Sequence, residues 1–173
     1  MPSEDTRKSD VRSTAIAVAY VLTLALWTGG LAVLGAIVAP TVFGIVPAPT
    51  SADAMTVVFR RFDRIAMICA VVSLVAEALL AWLRSSRAWL DRVRTVAAFA
   101  AGVLATLLGA WLSPAIEALH RAGAVRGLGD AGVALERLHR QAEAAAKTEL
   151  LLLVIVLALL VVRVAHRPRL RRD

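Results

Sequence analysis

The stretch between Arg12 and Asp53 contains no charged residue. An α-helix rises about 1.5 Å per residue, so about 20 apolar residues cross the hydrocarbon core of a bilayer. The uncharged stretch exceeds that length, and long apolar blocks recur later in the chain instead of the narrow apolar stripe of a soluble helix. Hydrophobic residues make up 59% of the 173 residues, more than soluble domains carry. The sequence therefore predicts an all-α integral membrane protein, built as a four-helix bundle.

The predicted bundle is one domain at residues 15-166, between basic tails at 1-14 and 167-173. Its first apolar segment is too long for the apolar core of a signal peptide, so it is expected to be a retained anchor that ends at Pro40. Pro114 is expected to break or kink the third span. The four spans are predicted at about residues 15-39, 65-83, 95-112 and 144-162.

The fourth span is the least regular, because its apolar run reaches bilayer length only when it is extended through Lys147 and Glu149. Lys147 is expected to pair with Glu143 one turn earlier and to snorkel outward. A capping box at 50-53 and a cap at Asp130 predict that helices 2 and 4 extend beyond the outer face of the membrane.

The distribution of positive charge predicts the orientation. Twelve Lys and Arg residues lie on the side of the two tails and the link between spans two and three, against eight on the other side. Cytoplasmic segments carry the excess of positive charge, which predicts an N-in/C-in protein. The same flanking charges account for the net charge of +7, so nucleic-acid binding is not predicted. The expected location is the bacterial cytoplasmic (inner) membrane, crossed several times.

A small set of polar residues falls inside the predicted spans. Glu77 recurs on one face of span two with Ser73 and small residues, so this face is expected to point into the bundle. Tyr20 lies at a similar depth and is expected to hydrogen-bond Glu77, whereas the Trp27 indole is expected to find Ser73 or a backbone carbonyl. Two readings of Glu77 stay open, a proton or cation relay and a protonated side chain that only joins helices.

The predicted outer face collects charged and imidazole side chains. Arg60, Arg61, Asp63 and His139 are expected to cluster and partly to pair across helices. Two Glu-x-x-His units are typical of helix-bundle metal sites, although the further carboxylates of a di-iron centre are not evident. A weaker His/Glu metal contact and plain solvated interface residues remain as alternatives. The two units are Glu117-Ala-Leu-His120 and Glu136-Arg-Leu-His139.

Short motifs in the first span resemble a known family. The segment Trp27-Thr-Gly29-Gly30, followed by Pro40-Thr-Val-Phe43, is similar to the transmembrane-protein-205-like group. The resemblance implies a four-helix membrane protein of unestablished activity, in a group whose eukaryotic members are associated with resistance to a platinum drug. That group is distantly similar to copper-resistance-D-like and haem-associated membrane proteins, which carry a histidine where this chain has Tyr20.

Three classes of function are therefore open. The first is tolerance to, or transport of, a small cation, metal or drug, with Glu77, Tyr20 and Trp27 along the route. The second is a non-catalytic scaffold or accessory subunit that oligomerises, or binds a membrane-protein partner, through small-residue helix faces. The third is a haem- or copper-binding redox protein. No catalytic motif is present, Cys69 is the only cysteine, and no cofactor is predicted; the lipid bilayer is the one partner that the sequence implies.

Overall fold

The structure is a computed structural model that describes the backbone of residues 4–82 and 89–165 and the side chains of residues 11–82 and 89–163. Throughout these ranges the chain is helical apart from short connections, as the sequence predicts. Some of the positive charges counted for the orientation lie outside the described side chains. They are those in the first tail before Val11, those at Arg84 and Arg87, and those after Arg163. The helices are α1 (Glu4–Val33), α2 (Ala39–Ile45), α3 (Thr50–Trp82), α4 (Trp89–Leu107), α5 (Ser113–Arg121) and α6 (Gly129–Ala165).

Four helical units are long and apolar enough to cross a membrane, so the protein is a multi-pass membrane protein. The second and fourth units are α3 and α6, of 33 and 37 residues. At 1.5 Å per residue they measure about 50 and 55 Å, well beyond a hydrocarbon core of about 30 Å. The irregular fourth span is therefore part of one continuous helix, and Lys147 donates to Glu143 at 2.6 Å as expected.

The two prolines do not end their helices. A π-helical turn at Leu34–Val38 joins α1 to α2, and a second at Leu108–Leu112 joins α4 to α5. In each case proline follows the π-helical turn within two residues, at a point where the regular hydrogen-bond ladder of the α-helix is already interrupted. The expected end of the first helix at Pro40 is therefore wrong, because helix continues to Ile45.

Consecutive spanning units pack against one another, and the first also packs against the fourth, which closes a four-helix bundle. The buried face of α3 includes Ala66, Ala70, Ser73 and Glu77, as predicted from their spacing. The large apolar side chains point outward instead, as expected when lipid replaces water as the solvent. Outward residues at least half exposed include Leu22, Leu26, Ile68, Val71, Val96, Leu151 and Val161.

Small residues let the helices approach at particular points. A Cβ at Gly102 would lie 3.5 Å from the Ala70 Cβ, so α4 packs closely on α3 there. At Gly35 in the first spanning unit, by contrast, a Cβ would meet nothing within 4 Å, so this glycine does not serve a close approach of helices within the bundle.

Candidate functional site: polar groups along the bundle core

One end of the bundle, here called the termini end, holds a buried network centred on Glu77. The hydroxyl of Tyr20 donates to Glu77 Oε1 at 2.6 Å, which confirms the hydrogen bond expected from their depths. Both residues are almost completely buried. Tyr20 therefore ties the first spanning unit to the second.

Glu77 also forms an ion pair with Arg94, which the sequence pattern does not predict. Arg94 Nε lies 2.6 Å from Glu77 Oε1, and Arg94 Nη2 lies 3.0 Å from Oε2. The hydroxyl of Thr95 adds a contact to Oε2 at 3.2 Å. Glu77 therefore joins helices, as one of its two readings expected, and a guanidinium fork of this kind is the usual partner of an ionised carboxylate.

Asp91 extends the network to the fourth helix. Its Oδ1 lies 3.2 Å from Arg94 Nη1 and is also paired with Arg163 of α6. Together with Tyr20 and Glu77, these residues bring a side chain from every spanning unit into one polar network. The termini end of the bundle is thus fixed by charge and hydrogen bonding rather than by apolar packing alone.

A second polar site lies about 10 Å deeper along α1, given the seven residues from Tyr20 to Trp27. The Trp27 indole N–H donates to Glu149 Oε1 at 2.7 Å, not to Ser73 or a backbone carbonyl as expected. Trp27 and Glu149 are 0% and 1% exposed. Within the described residues, Glu149 Oε2, Ser73 Oγ and Thr28 Oγ1 are buried without a hydrogen-bond partner.

The opposite end, here called the loop end, carries the charged cluster predicted for the outer face. Arg60 pairs with Glu117 across two helices, and Arg121 also contacts Glu117 at 3.1 Å. Asp63 accepts a hydrogen bond of 2.5 Å from the Ser113 hydroxyl. The expected cross-helix pairing is therefore present, but the Arg60 partner is Glu117 rather than Asp63. Arg61 lies on the exposed side.

The two histidines of the Glu-x-x-His units meet at the loop end. His120 Nε2 lies 3.4 Å from His139 Nε2, and the rings stand edge to face. Glu136 is engaged by Arg126 and by Arg140, the latter at 3.5 Å. In the part of the chain that the structure describes, no three His, Cys, Asp or Glu side chains are placed together to hold a metal, whereas a di-iron centre uses several carboxylates beside its histidines.

The residues of the short motif in the first span, from Trp27 to Phe43, differ in whether they pack against other helices. A Cβ at Gly30 would lie 2.4 Å from Phe62 Cε2, whereas one at Gly29 would meet nothing within 4 Å. Trp27 points inward, and Pro40 and Phe43 are exposed. Gly30 is thus the position in this motif where the absence of a side chain lets two helices meet.

Comparison with known proteins adds a family but no activity. No curated protein and no solved structure matches the chain. A family model described as a domain of unknown function matches residues 22–125. The match includes the Glu77–Arg94 pair and His120, and it ends before α6, which carries His139 and Glu149. Since the matched region covers more than half of the chain, the protein belongs to the family of the domain of unknown function DUF4149.

Proposed function

We propose that this membrane protein takes up a small cation, in the simplest case a proton, in its bundle core, with Glu149 as the group that carries it. The observation behind the proposal is the buried Oε2 of Glu149, which has no partner among the described residues although Oε1 is held by Trp27. An ionisable residue inside a membrane span is a candidate functional group.

The surroundings of Glu149 favour an incoming cation. A buried carboxylate oxygen without a partner destabilises the folded protein by several kcal/mol, and a bound proton or cation removes that destabilisation. Ser73 and Thr28, on two other helices, also carry buried hydroxyl oxygens without a partner among the described residues, and oxygen donors suit small hard cations. Glu149 lies about 15 Å along α6 from His139 and about 21 Å from Arg163, in the middle of the bundle.

Glu77 has a different role in this proposal from the relay that its depth suggested. Its two oxygens accept from Arg94, Tyr20 and Thr95, so neither is open to a new ligand. We propose that this network keeps the helices together at the termini end of the bundle. The proposed uptake site therefore moves from Glu77 to Glu149, about two helical turns deeper.

We also propose the membrane, the orientation and the physiological role of the protein. The excess of Lys and Arg in the tails and in the link between the second and third spans supports an N-in/C-in orientation in a bacterial cytoplasmic membrane. The short motif around Trp27 and Pro40 supports a relation to the transmembrane-protein-205-like group, and tolerance to a metal or drug is the physiological role it suggests.

Ion flux in proteoliposomes tests the proposal. Purified protein is reconstituted with a pH-sensitive dye inside, and proton entry is followed after a potential is imposed. Glu149→Gln keeps the side-chain volume and the Trp27 acceptor, and it should reduce the flux at least tenfold. Glu143→Gln, a carboxylate on the exposed side of the same helix, is the matched control and should leave the flux unchanged. Equal flux in all three proteins would refute the role of Glu149.

A non-catalytic scaffold is the second candidate, and the network at the termini end favours it. Groups from four helices satisfy one another there, as in a bundle built to be rigid. In that case wild type and Glu149→Gln show no flux above empty vesicles, while chemical cross-linking in the native membrane captures a stable complex.

A further inference from the structure

We propose a two-histidine metal site at the loop end, formed by His120 and His139, for a divalent ion that prefers tetrahedral coordination, as zinc does. It is independent of the proposed uptake at Glu149, which lies about 15 Å further along α6. The two imidazoles come from different helices, so a shared ion would join the end of α5 to α6.

The separation of the two nitrogens carries the proposal. His120 Nε2 and His139 Nε2 face each other at 3.4 Å. This distance is long for a hydrogen bond from N–H, which is about 2.7–3.2 Å. Two nitrogens bound to one tetrahedral ion at about 2.0–2.1 Å each are separated by about 3.3–3.4 Å. A right-angled pair of ligands would require about 2.9 Å and a linear pair about 4.1 Å, so the observed separation is nearest to the tetrahedral value.

The backbone around the pair holds that geometry before any ion binds. His120 lies in the last turn of α5, whose chain continues through Ala122 and Gly123. His139 lies nearly three turns into α6, a helix that continues without interruption to Ala165. Both imidazoles are only partly buried, so an ion can reach them from the aqueous side.

The neighbouring carboxylates set the number of ligands that the chain supplies. Glu117 is held by Arg60 and Arg121, and Glu136 by Arg126 and Arg140. These ion pairs occupy both carboxylates, and among the described residues no third His, Cys, Asp or Glu joins the two histidines, so two imidazoles are the protein ligands. Two positions on a tetrahedral ion then remain for water or for an anion, and the nearby arginines favour an anion. The site is therefore open, suited to reversible binding rather than to a permanent structural ion.

Zinc titration of the full chain tests the site. The protein is purified without a polyhistidine tag and titrated with ZnCl2 by calorimetry, and CoCl2 serves as a probe because tetrahedral cobalt absorbs strongly in the visible. One ion per chain and a tetrahedral cobalt spectrum are expected. His120→Ala and His139→Ala should each weaken binding at least tenfold, and His166→Ala, which removes the third histidine, should change nothing.

A stability readout separates a lost ligand from a lost fold. Zinc should raise the unfolding temperature of wild type but not of His139→Ala, while both proteins keep the same helical circular-dichroism signal without metal. Absence of saturable binding to wild type, or equal binding by His120→Ala, His139→Ala and His166→Ala, would overturn the proposal. An octahedral cobalt spectrum would overturn the tetrahedral assignment that the 3.4 Å separation supports.

Discussion

Arg94 holds both carboxylate oxygens of Glu77, at 2.6 and 3.0 Å, from the first turns of the helix that follows it in the chain. Both side chains are nearly inaccessible. Two opposite charges removed from solvent in this way are costly to separate, because the remaining charge stays buried without compensation. This pair therefore explains why two helices joined by a short link are locked at one depth.

Arg94→Ala should lower the free energy of unfolding by about 3–5 kcal/mol, because it leaves Glu77 as an unpaired buried charge. Denaturant unfolding in detergent micelles, followed by circular dichroism, measures the change. Arg92→Ala removes an exposed arginine from the same helix and should cost less than about 0.5 kcal/mol. Similar losses for the two variants would mean that the Glu77–Arg94 pair does not stabilise the bundle.

Tyr20→Phe should cost about 1.5–3 kcal/mol, the range for a hydrogen bond to a charged group. To show that this cost reflects the hydrogen bond to Glu77, Tyr20→Phe is repeated in a Glu77→Gln background as a double-mutant cycle. The cost should be smaller there, because the acceptor is no longer charged. Additive effects of the two substitutions would contradict a direct bond between Tyr20 and Glu77.

Gly29→Ala and Gly30→Ala form a matched pair of neighbours with opposite expected results. Alanine favours helix over glycine by up to about 1 kcal/mol, and at Gly29 nothing opposes this gain. At Gly30 the new Cβ would meet the Phe62 ring at 2.4 Å, and overpacking of this kind costs about 1–3 kcal/mol. Gly30→Ala should therefore unfold at a lower temperature than Gly29→Ala.

Phe62→Leu provides the control for this explanation. The smaller side chain removes the ring atoms that a Cβ at position 30 would meet. The penalty of Gly30→Ala relative to Gly29→Ala should shrink in that background. A penalty of unchanged size would show that Phe62 is not the obstacle.

The proposed N-in/C-in orientation predicts which cysteines a membrane-impermeant thiol reagent reaches in intact cells. In a Cys69→Ala background, Ala122→Cys lies in the connection before α6 and should be labelled from outside. Ser3→Cys, in the basic tail, should be labelled only after the membrane is opened. The reverse pattern would place the termini on the outside and contradict the charge rule.

Much of the bundle follows from sequence because lipid imposes strong constraints on a chain. Span lengths and the small-residue face of α3 are local properties, and the Tyr20–Glu77 bond followed from equal depths along two helices. The partner of Trp27 did not follow, because Glu149 was treated only as an interruption of the fourth apolar run.

Arg94 was missed for a related reason. Its position next to the link between two spans made it one of several interfacial positive charges, and nothing local distinguishes it from the exposed Arg92. Only the rotation of α4 about its axis decides which of the two faces Glu77. The signal that was present is that Arg94 directly precedes the third span, and its long side chain can reach inward toward Glu77, which lies six residues inside the end of the second span.

We propose that the buried carboxyl of Glu77 is locked in an ion pair, whereas the buried carboxyl of Glu149 exchanges protons. A lipid-soluble carbodiimide, which reacts with protonated carboxyl groups inside membranes, distinguishes them directly. Native membranes are treated at a series of pH values, and modified peptides are quantified by mass spectrometry. We expect the modification of Glu149 to decline as pH rises, and we expect little modification of Glu77 at any pH. Modification of Glu77 with Glu149 left intact would contradict it.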